Sequence, residues 1–162
     1  MSMFVLAAGL LTGCGGGNTA EITGSVDGLS IKPNTMYWGG PFVFFISREL
    51  DCDELAWVTK VYDEGDEPPT DYDFTALQIT YNESDVVTGT YDLSGQAPVK
   101  AEVLDVTGGA LTVDKATEGT LIIDEVTNEK DAIGEFNFTF DEDGSLSGTF
   151  NVTWCTNLKS RT

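Results

Sequence analysis

The sequence contains no histidine, the residue on which much acid–base catalysis and many metal sites depend. Without it, the 162-residue chain can form neither a Ser-His-Asp nor a Cys-His catalytic centre, and no His-ligated zinc or iron site. Basic residues are also scarce, since 8 Lys and Arg stand against 27 Asp and Glu, a net charge of −19. That charge has the wrong sign for contact with phosphate backbones, so we expect no nucleic-acid partner.

The apolar run at residues 4–11 is too short for a membrane span, which needs about 20 residues. It has the length of the hydrophobic region of a signal peptide. The tetrapeptide Leu-Thr-Gly-Cys at residues 11–14 follows it and resembles the lipobox of bacterial lipoproteins. The resemblance implies cleavage before Cys14 and acylation of its sulfur and its new amino group. The alternative is a soluble protein with an apolar N-terminal strand.

The lipobox divides the chain into four parts. We expect a signal peptide at 1–13, an acylated cysteine with a glycine-rich tether at 14–20, a β-domain at 21–158 and a tail at 159–162. Gly15 in the second mature position favours the outer membrane by the sorting rule of that family. The predicted location is therefore the cell envelope, with the outer membrane bound through Cys14 and the domain facing the periplasm or the cell surface.

Three cysteines are an odd count for an exported protein. Acylation of Cys14 leaves Cys52 and Cys155, which we expect to form a disulfide in an oxidising compartment. Two cysteines without histidine are too few for structural zinc. A reactive thiol is the other alternative, but the acidic neighbours of Cys52 would raise its pKa rather than lower it.

Apolar residues recur mostly with a period of two from residue 21 onward, which predicts an all-β domain. We expect a mainly antiparallel β-sandwich, since the strands are short and uneven. A flattened, lipocalin-like β-barrel is the alternative. Residues 42–46 are apolar throughout and predict a central strand that is covered on both faces.

Two hairpins are predicted from the alternation. The clearer one joins residues 136–140 to 146–154 through the acidic loop that ends at Gly144. With Asp141 opposite Ser145, Phe138 would face and cover Gly148. The other hairpin would pair residues 77–81 with 87–93.

At most one short helix is expected. Asp51 and Glu54 have the spacing of a capping box, which indicates a short helix or turn from residue 51 to about 57, followed by a strand.

The whole layout resembles a group of uncharacterised lipoproteins of Gram-negative bacteria. Their shared features are a lipobox, a cysteine after an early strand, Gly-Thr strand starts and a final hairpin that closes on a cysteine. The matching segments here are 11–14, 50–52, 89–91, 119–121, 134–136 and 148–155. The resemblance implies an architecture and a location, and no activity.

Clustered carboxylates raise the hypothesis of calcium, which would be the one cofactor. The candidate ligands are Asp63 and Asp66 in one acidic segment, and Asp141 and Asp143 in the loop of the predicted hairpin. Neither segment has the EF-hand spacing. The alternative is an acidic face that is only hydrated.

Aromatic residues beside glycine or proline raise the hypothesis of a face that binds carbohydrate or peptide. The candidates are Tyr37, Trp38, Trp57, Tyr62 and Tyr72; the alternative is that they belong to the core. A hydrolase with two carboxylates is a further alternative, although no pair stands out and motifs for serine or phosphate chemistry are missing. We therefore expect a structural or interaction module rather than an enzyme, with a protein or glycan partner.

Overall fold

The computed structural model describes residues 18–64, 70–82, 86–93, 98–141 and 144–158. This part of the chain forms strands and one helix. In chain order they are β1 (Thr19–Ser25), β2 (Thr35–Gly39), β3 (Phe42–Ile46), α1 (Cys52–Glu64), β4 (Phe74–Tyr81), β5 (Gly89–Asp92), β6 (Val99–Thr107), β7 (Ala110–Val126), β8 (Asp131–Phe140) and β9 (Ser145–Trp154). Two residues predicted as the end of the tether, Thr19 and Ala20, are the first of β1.

The strands form one sheet that closes on itself. Antiparallel pairs join β2 to β3, then β4, β6, β7, β8 and β9. A short parallel contact between β9 and β2 closes the circle, with Tyr37 opposite Thr153 and Trp38 opposite Trp154. Two further strands pair antiparallel with members of this ring: β1 with β9, and β5 with β7. The all-β prediction is confirmed, and the closed barrel is the form adopted rather than the favoured sandwich.

The length of β7 explains why the sheet closes. This strand has 17 residues. Its first part pairs with β6, and its second part pairs with β8 after a register shift between Ala116 and Glu118. A bulge of this kind bends a strand and increases its twist. One continuous strand thus belongs to both halves that a sandwich would separate.

The hairpin of β8 and β9 is confirmed, but its register differs from the prediction by two residues. Thr139, rather than Asp141, stands opposite Ser145. Gly144 does not have the left-handed conformation that is usual for a glycine in a hairpin loop. It is buried, and a Cβ there would lie 3.2 Å from the Cα of Val26. The chain beyond β1 therefore packs closely against Gly144.

Gly148 allows β1 to approach β9 closely. A Cβ at this position would lie 2.4 Å from the carbonyl oxygen of Glu21, too close for any side chain. In the observed register Gly148 is opposite Phe136, and the ring of Phe136 lies 3.1 Å from that Cβ position. Phe136, and not the predicted Phe138, covers the glycine.

The predicted hairpin between residues 77–81 and 87–93 is wrong. β4 pairs with β3 and β6, whereas β5 pairs with β7, where Tyr91 is opposite Leu121. The two segments alternate correctly as strands. Each segment pairs with strands from other parts of the chain. The alternation of apolar residues identifies a strand but not the strand it pairs with.

Two apolar clusters hold the fold together. The larger fills the barrel and includes Phe45, Leu77 and Phe138. The smaller lies outside the barrel, between the outer face of the sheet and α1, and includes Phe44 and Leu55. Because β3 contributes to both clusters, all five of its residues are buried, as predicted for residues 42–46.

The helix begins at the predicted capping box. The N–H of Glu54 donates to Oδ1 of Asp51, and the N–H of Asp51 donates to Oε2 of Glu54, both at 2.9 Å. The helix then continues to Glu64, so the strand predicted after residue 57 is wrong. Leu55 and Val58 face the barrel and are buried, which is the helical pattern.

The predicted disulfide between Cys52 and Cys155 is present and joins the first residue of α1 to the residue after β9. The chain before the helix is also fixed. The N–H of Leu50 donates to Oγ1 of Thr35 on β2 at 2.7 Å. Both ties hold the start of α1 against the barrel. Among the described residues, no helix combines the length and the apolar character needed to cross a membrane.

Candidate functional site

A groove of about 810 Å³ lies between α1 and the outer face of β3, β4, β6 and β7. The volume falls in the range usual for ligand sites, roughly 300–1,000 Å³. Its walls are mostly apolar. Phe74 and Leu104 form part of the floor, and Trp57 and Val58 of α1 lie along one side.

Strand register explains the apolar floor. Ala76 on β4 is opposite Ile46 on β3 and Leu104 on β6, and Leu104 is opposite Val113 on β7. One row of apolar side chains therefore crosses four strands. An antiparallel sheet normally turns polar side chains outward, so an apolar outer face has to be covered by another element. The helix covers the β3 and β4 part of this face.

The β6 and β7 part of the groove remains open. Trp57, Leu111 and Val113 are 46%, 41% and 41% exposed, and all three line the groove. Among the described residues one further large apolar side chain, Val87, is exposed, and it lies elsewhere. The exposed apolar surface is thus concentrated at one site, as at many interaction surfaces.

Polar groups mark the margins of the groove. The side chain of Asn157 donates to Oδ1 of Asp53 near the start of α1. Toward β7, Nζ of Lys115 lies 3.7 Å from Oε1 of Glu102. Gln78 on β4 donates to Thr80 at 2.9 Å. These polar side chains are paired with one another, so the free surface of the groove is its apolar part.

Three of the five candidate aromatic residues meet at this site. Trp57 and Tyr72 lie 5.7 Å apart with ring planes at 80°, and both Tyr62 and Tyr72 pack against Phe74 at 78° and 87°. The guanidinium of Arg48 lies 4.0 Å from the centre of the Tyr72 ring. Near-perpendicular rings give an edge-to-face cluster. They do not form the flat row on which a sugar would stack.

Both tyrosines of this cluster have a raised pKa. Burial raises the pKa of Tyr62, whose hydroxyl is buried and has no hydrogen-bond partner. Burial also raises the pKa of Tyr72, helped by the carboxylate of Glu54 and opposed by Arg48. Both hydroxyls therefore stay neutral at physiological pH, and Tyr62 keeps an unused donor beside the groove.

The other two candidate aromatic residues lie away from the groove. Trp38 is 2% exposed inside the barrel, where its ring meets Trp154 edge-on at 4.5 Å. Its Nε1 has no hydrogen-bond partner. Tyr37 is half-buried in the outer cluster. Trp38 and Tyr37 therefore pack in the apolar clusters of the fold, which was the alternative to a binding face.

The calcium candidates are mostly outside the described part of the chain. Asp141 is exposed directly after β8. The side chain of Asp63 and all of Asp66 and Asp143 lie outside the description, as does the predicted lipidation site Cys14. Within the described ranges, Cys, Asp and Glu nowhere gather in a group of three that would hold a metal ion.

A second depression, of about 440 Å³, is lined mostly by polar residues. It lies on the outer face of β1, β9 and β8, where Thr149 is opposite both Glu21 and Glu135. Two carboxylates thus stand two strand spacings apart, about 10 Å. Both side chains are exposed to water. The depression has neither the enclosure nor the apolar anchors of the groove.

Sequence reasoning missed Leu111 and Val113. A signal for their hairpin is present, because Gly108-Gly109 interrupts two alternating runs and has the composition of a two-residue turn. Both glycines adopt positive φ, 60° and 82°. The two side chains are exposed, however, because α1 does not extend over this part of the sheet. That depends on the tertiary structure and cannot be read from the local sequence.

The chain was compared with family models, curated proteins and solved structures, and none of them matches it. The groove and its surroundings are therefore the observations from which a function is inferred.

Proposed function

We propose that this chain is a lipid-anchored protein of the cell envelope whose acidic barrel is an interaction module, with the groove as its binding surface. The observation that carries the proposal is the concentration of Trp57, Leu111 and Val113 around one apolar groove. Exposure of such apolar side chains to water is unfavourable. A partner that covers them therefore binds with a favourable free energy from their burial. Tryptophan is also enriched among the residues that dominate binding energy at interfaces.

The anchor is inferred from the Leu-Thr-Gly-Cys tetrapeptide at residues 11–14. One acyl chain binds a membrane marginally, while two or more anchor a protein stably. The acidic domain would be repelled by anionic lipid, so it would stand off the surface with the groove free for a partner. Mass spectrometry of protein from a bacterial host tests this, with Cys14→Ala as the control. An unprocessed chain that begins at Met1 would contradict it.

The groove is proposed to bind a protein segment rather than a carbohydrate. The edge-to-face geometry of Trp57 and Tyr72 offers no flat stacking surface, and the exposed side chains that β7 adds to the groove, Leu111 and Val113, are aliphatic. Aliphatic groups suit the apolar side chains of a peptide. A non-catalytic role is consistent with an open site in which Asp53, Glu102 and Gln78 are each paired with another side chain.

The groove is tested with a neutral apolar dye, Nile red, titrated into the full-length protein. The test variant combines Leu111→Ser and Val113→Ser; the matched control is Val87→Ser, which removes an exposed valine outside the groove. Burying the exposed two fifths of each groove side chain is worth about 0.8 kcal/mol. We therefore expect the double variant to bind the dye roughly tenfold more weakly and the control to bind as the wild type does. Equal losses in both variants would reject the groove as the site.

A further inference from the structure

The first part of β7 has one free edge. Residues 110–115, here called the β7 edge, pair with β6 from Ala110 opposite Thr107 to Lys115 opposite Glu102. On its other side β7 pairs with β8, but that pairing begins at Ala116, opposite Phe140. No strand of the described chain lies against the outer side of the β7 edge. The vacant position is the one that β8 would occupy if it were longer.

The hairpin turn determines which backbone groups face this vacant position. Gly108-Gly109 forms a two-residue turn, so Thr107 and Ala110 are the hydrogen-bonded pair next to it. By the alternation of an antiparallel ladder, residues 110, 112 and 114 bond to β6. The N–H and C=O groups of residues 111 and 113 then point outward, where no strand of the described chain lies opposite them. Those of Lys115 also point outward, but they face residue 141 at the end of β8.

The same residues carry the exposed side chains of the groove. Leu111 and Val113 point toward α1, so a strand added to the β7 edge would continue the apolar floor by one more strand. Its alternate side chains would enter the groove beside Trp57. Backbone pairing and apolar burial would thus be satisfied by one extended segment, which is the mode of binding known as strand addition.

The β7 edge is held in place before any partner arrives. At the tip of the hairpin, the N–H of Gly108 donates to Oδ1 of Asp73 at 2.8 Å. At its other end Lys115 forms the ion pair with Glu102. Residues 110–115 include no proline and pair with β6 without a register shift, so two common protections of an exposed edge are not used. A rigid edge lowers the ordering cost of binding.

Charge indicates the kind of segment that fits. The chain carries −19, and the exposed Asp141 follows Phe140 at the end of the vacant position. An acidic segment would be repelled, and so would a second copy of this chain. We propose that the β7 edge binds an extended segment of a partner protein in which apolar residues alternate with basic ones. This inference rests on the proposed function, because it uses the same groove.

The probe is an amide-capped heptapeptide in which valine alternates with lysine, labelled for fluorescence anisotropy and titrated into the full-length protein. Two matched peptides serve as controls: one N-methylated at alternate residues, which cannot complete the ladder, and one with glutamate in place of lysine. We expect each control to bind at least about tenfold more weakly than the probe. If the glutamate peptide binds as tightly, the proposed partner chemistry is wrong.

The protein variant is Val113→Pro. Because the N–H of Val113 points away from β6, proline removes an outward donor without removing a bond to β6, and edge strands tolerate proline there. We expect peptide affinity to fall about tenfold. Val113→Thr keeps the N–H and the branched shape, and should lose much less. Equal losses in the two variants would mean that side-chain burial alone binds the peptide.

Amide hydrogen exchange of the wild-type protein tests the pairing without any variant. We expect the peptide to slow exchange at residues 111 and 113, with residues 110, 112 and 114 slow already. Loss of Nile red binding in the groove variants together with tight binding of the N-methylated peptide would leave the proposed function standing and overturn strand addition. A dimer of the wild-type protein that Val113→Pro makes monomeric would identify a second copy as the occupant, and would also overturn this proposal.

Discussion

The disulfide gives the prediction with the largest expected effect. Replacing Cys52 and Cys155 by alanine removes the bond between the start of α1 and the end of β9. The two residues are 103 positions apart, and the chain-entropy model assigns about 4.7 kcal/mol to closing a loop of about 100 residues. Domains of this size are commonly stable by about 5–15 kcal/mol, so the variant should still fold, but marginally.

The structure also predicts where the loss is felt first. Leu55 and Val58 attach one face of α1 to the barrel, and the disulfide attaches its first residue. Without the bond, α1 should detach before the barrel unfolds, and the groove should lose its helical wall. Urea unfolding measured by circular dichroism gives the stability, and Nile red titration reports the groove. Reduced wild-type protein is the matched control.

A variant that loses less than about 1 kcal/mol and binds the dye normally would show that apolar packing alone orders α1, against this prediction. Loss of stability with normal dye binding would confirm the entropic part and reject the role of the disulfide in holding the groove.

Three further predictions concern a buried hydroxyl, the helix cap and calcium. Tyr81→Phe removes a buried hydroxyl that has no partner, so unfolding at neutral pH should cost about 1 kcal/mol more. Burial, with a smaller effect of Tyr91, raises the pKa of Tyr81 above the usual value of 10.0, so the unfolded state loses its proton first. Wild-type stability should therefore fall more steeply than that of Tyr81→Phe as pH rises above about 10, and parallel urea titrations would disprove this. Asp51→Ala removes the acceptor of the Glu54 N–H and should cost about 1 kcal/mol in chemical denaturation, while an unchanged midpoint would deny the cap any role. The calcium hypothesis expects a higher melting midpoint in millimolar calcium than in EDTA, an increase that Asp141→Asn reduces; equal midpoints would reject it.

Features that depend on neighbouring residues could be predicted from the sequence. The capping box needs Asp51 and Glu54 alone, and both of its hydrogen bonds are present. Alternation placed the apolar residues of β8 and β9 on one face. The disulfide could be predicted by counting cysteines, once Cys14 was taken to be the acylated residue. The structure shows the disulfide, whereas Cys14 lies outside the described residues.

Features that depend on distant residues could not be predicted. Because side chains alternate with a period of two, a shift of two residues leaves the same apolar side chains facing inward, so alternation could not set the register of β8 and β9. The backbone that packs closely against Gly144 is that of Val26, far away in the sequence. Closure of the barrel likewise depends on β7 bending between two partners, which strand lengths do not show.

The candidate site was predicted in part. The helix α1 packs over β4 and so brings together Trp57, Tyr62 and Tyr72 on the outside of the barrel. Trp38 lies inside the barrel, apart from them. Leu111 and Val113 have the composition of ordinary strand residues. Their exposure arises where the helix leaves part of the sheet uncovered, so only the three-dimensional arrangement identifies them.

The contact between β2 and β9 has a consequence for the order of folding. Trp38 and Trp154 meet there, yet more than a hundred residues separate them along the chain. In a polypeptide synthesised or exported from its amino terminus, β2, β3 and β4 emerge while β9 does not yet exist. Pairings of such high contact order form late. This pairing is therefore expected to form last, and until then the edge of β2 that faces β9 lacks its partner strand.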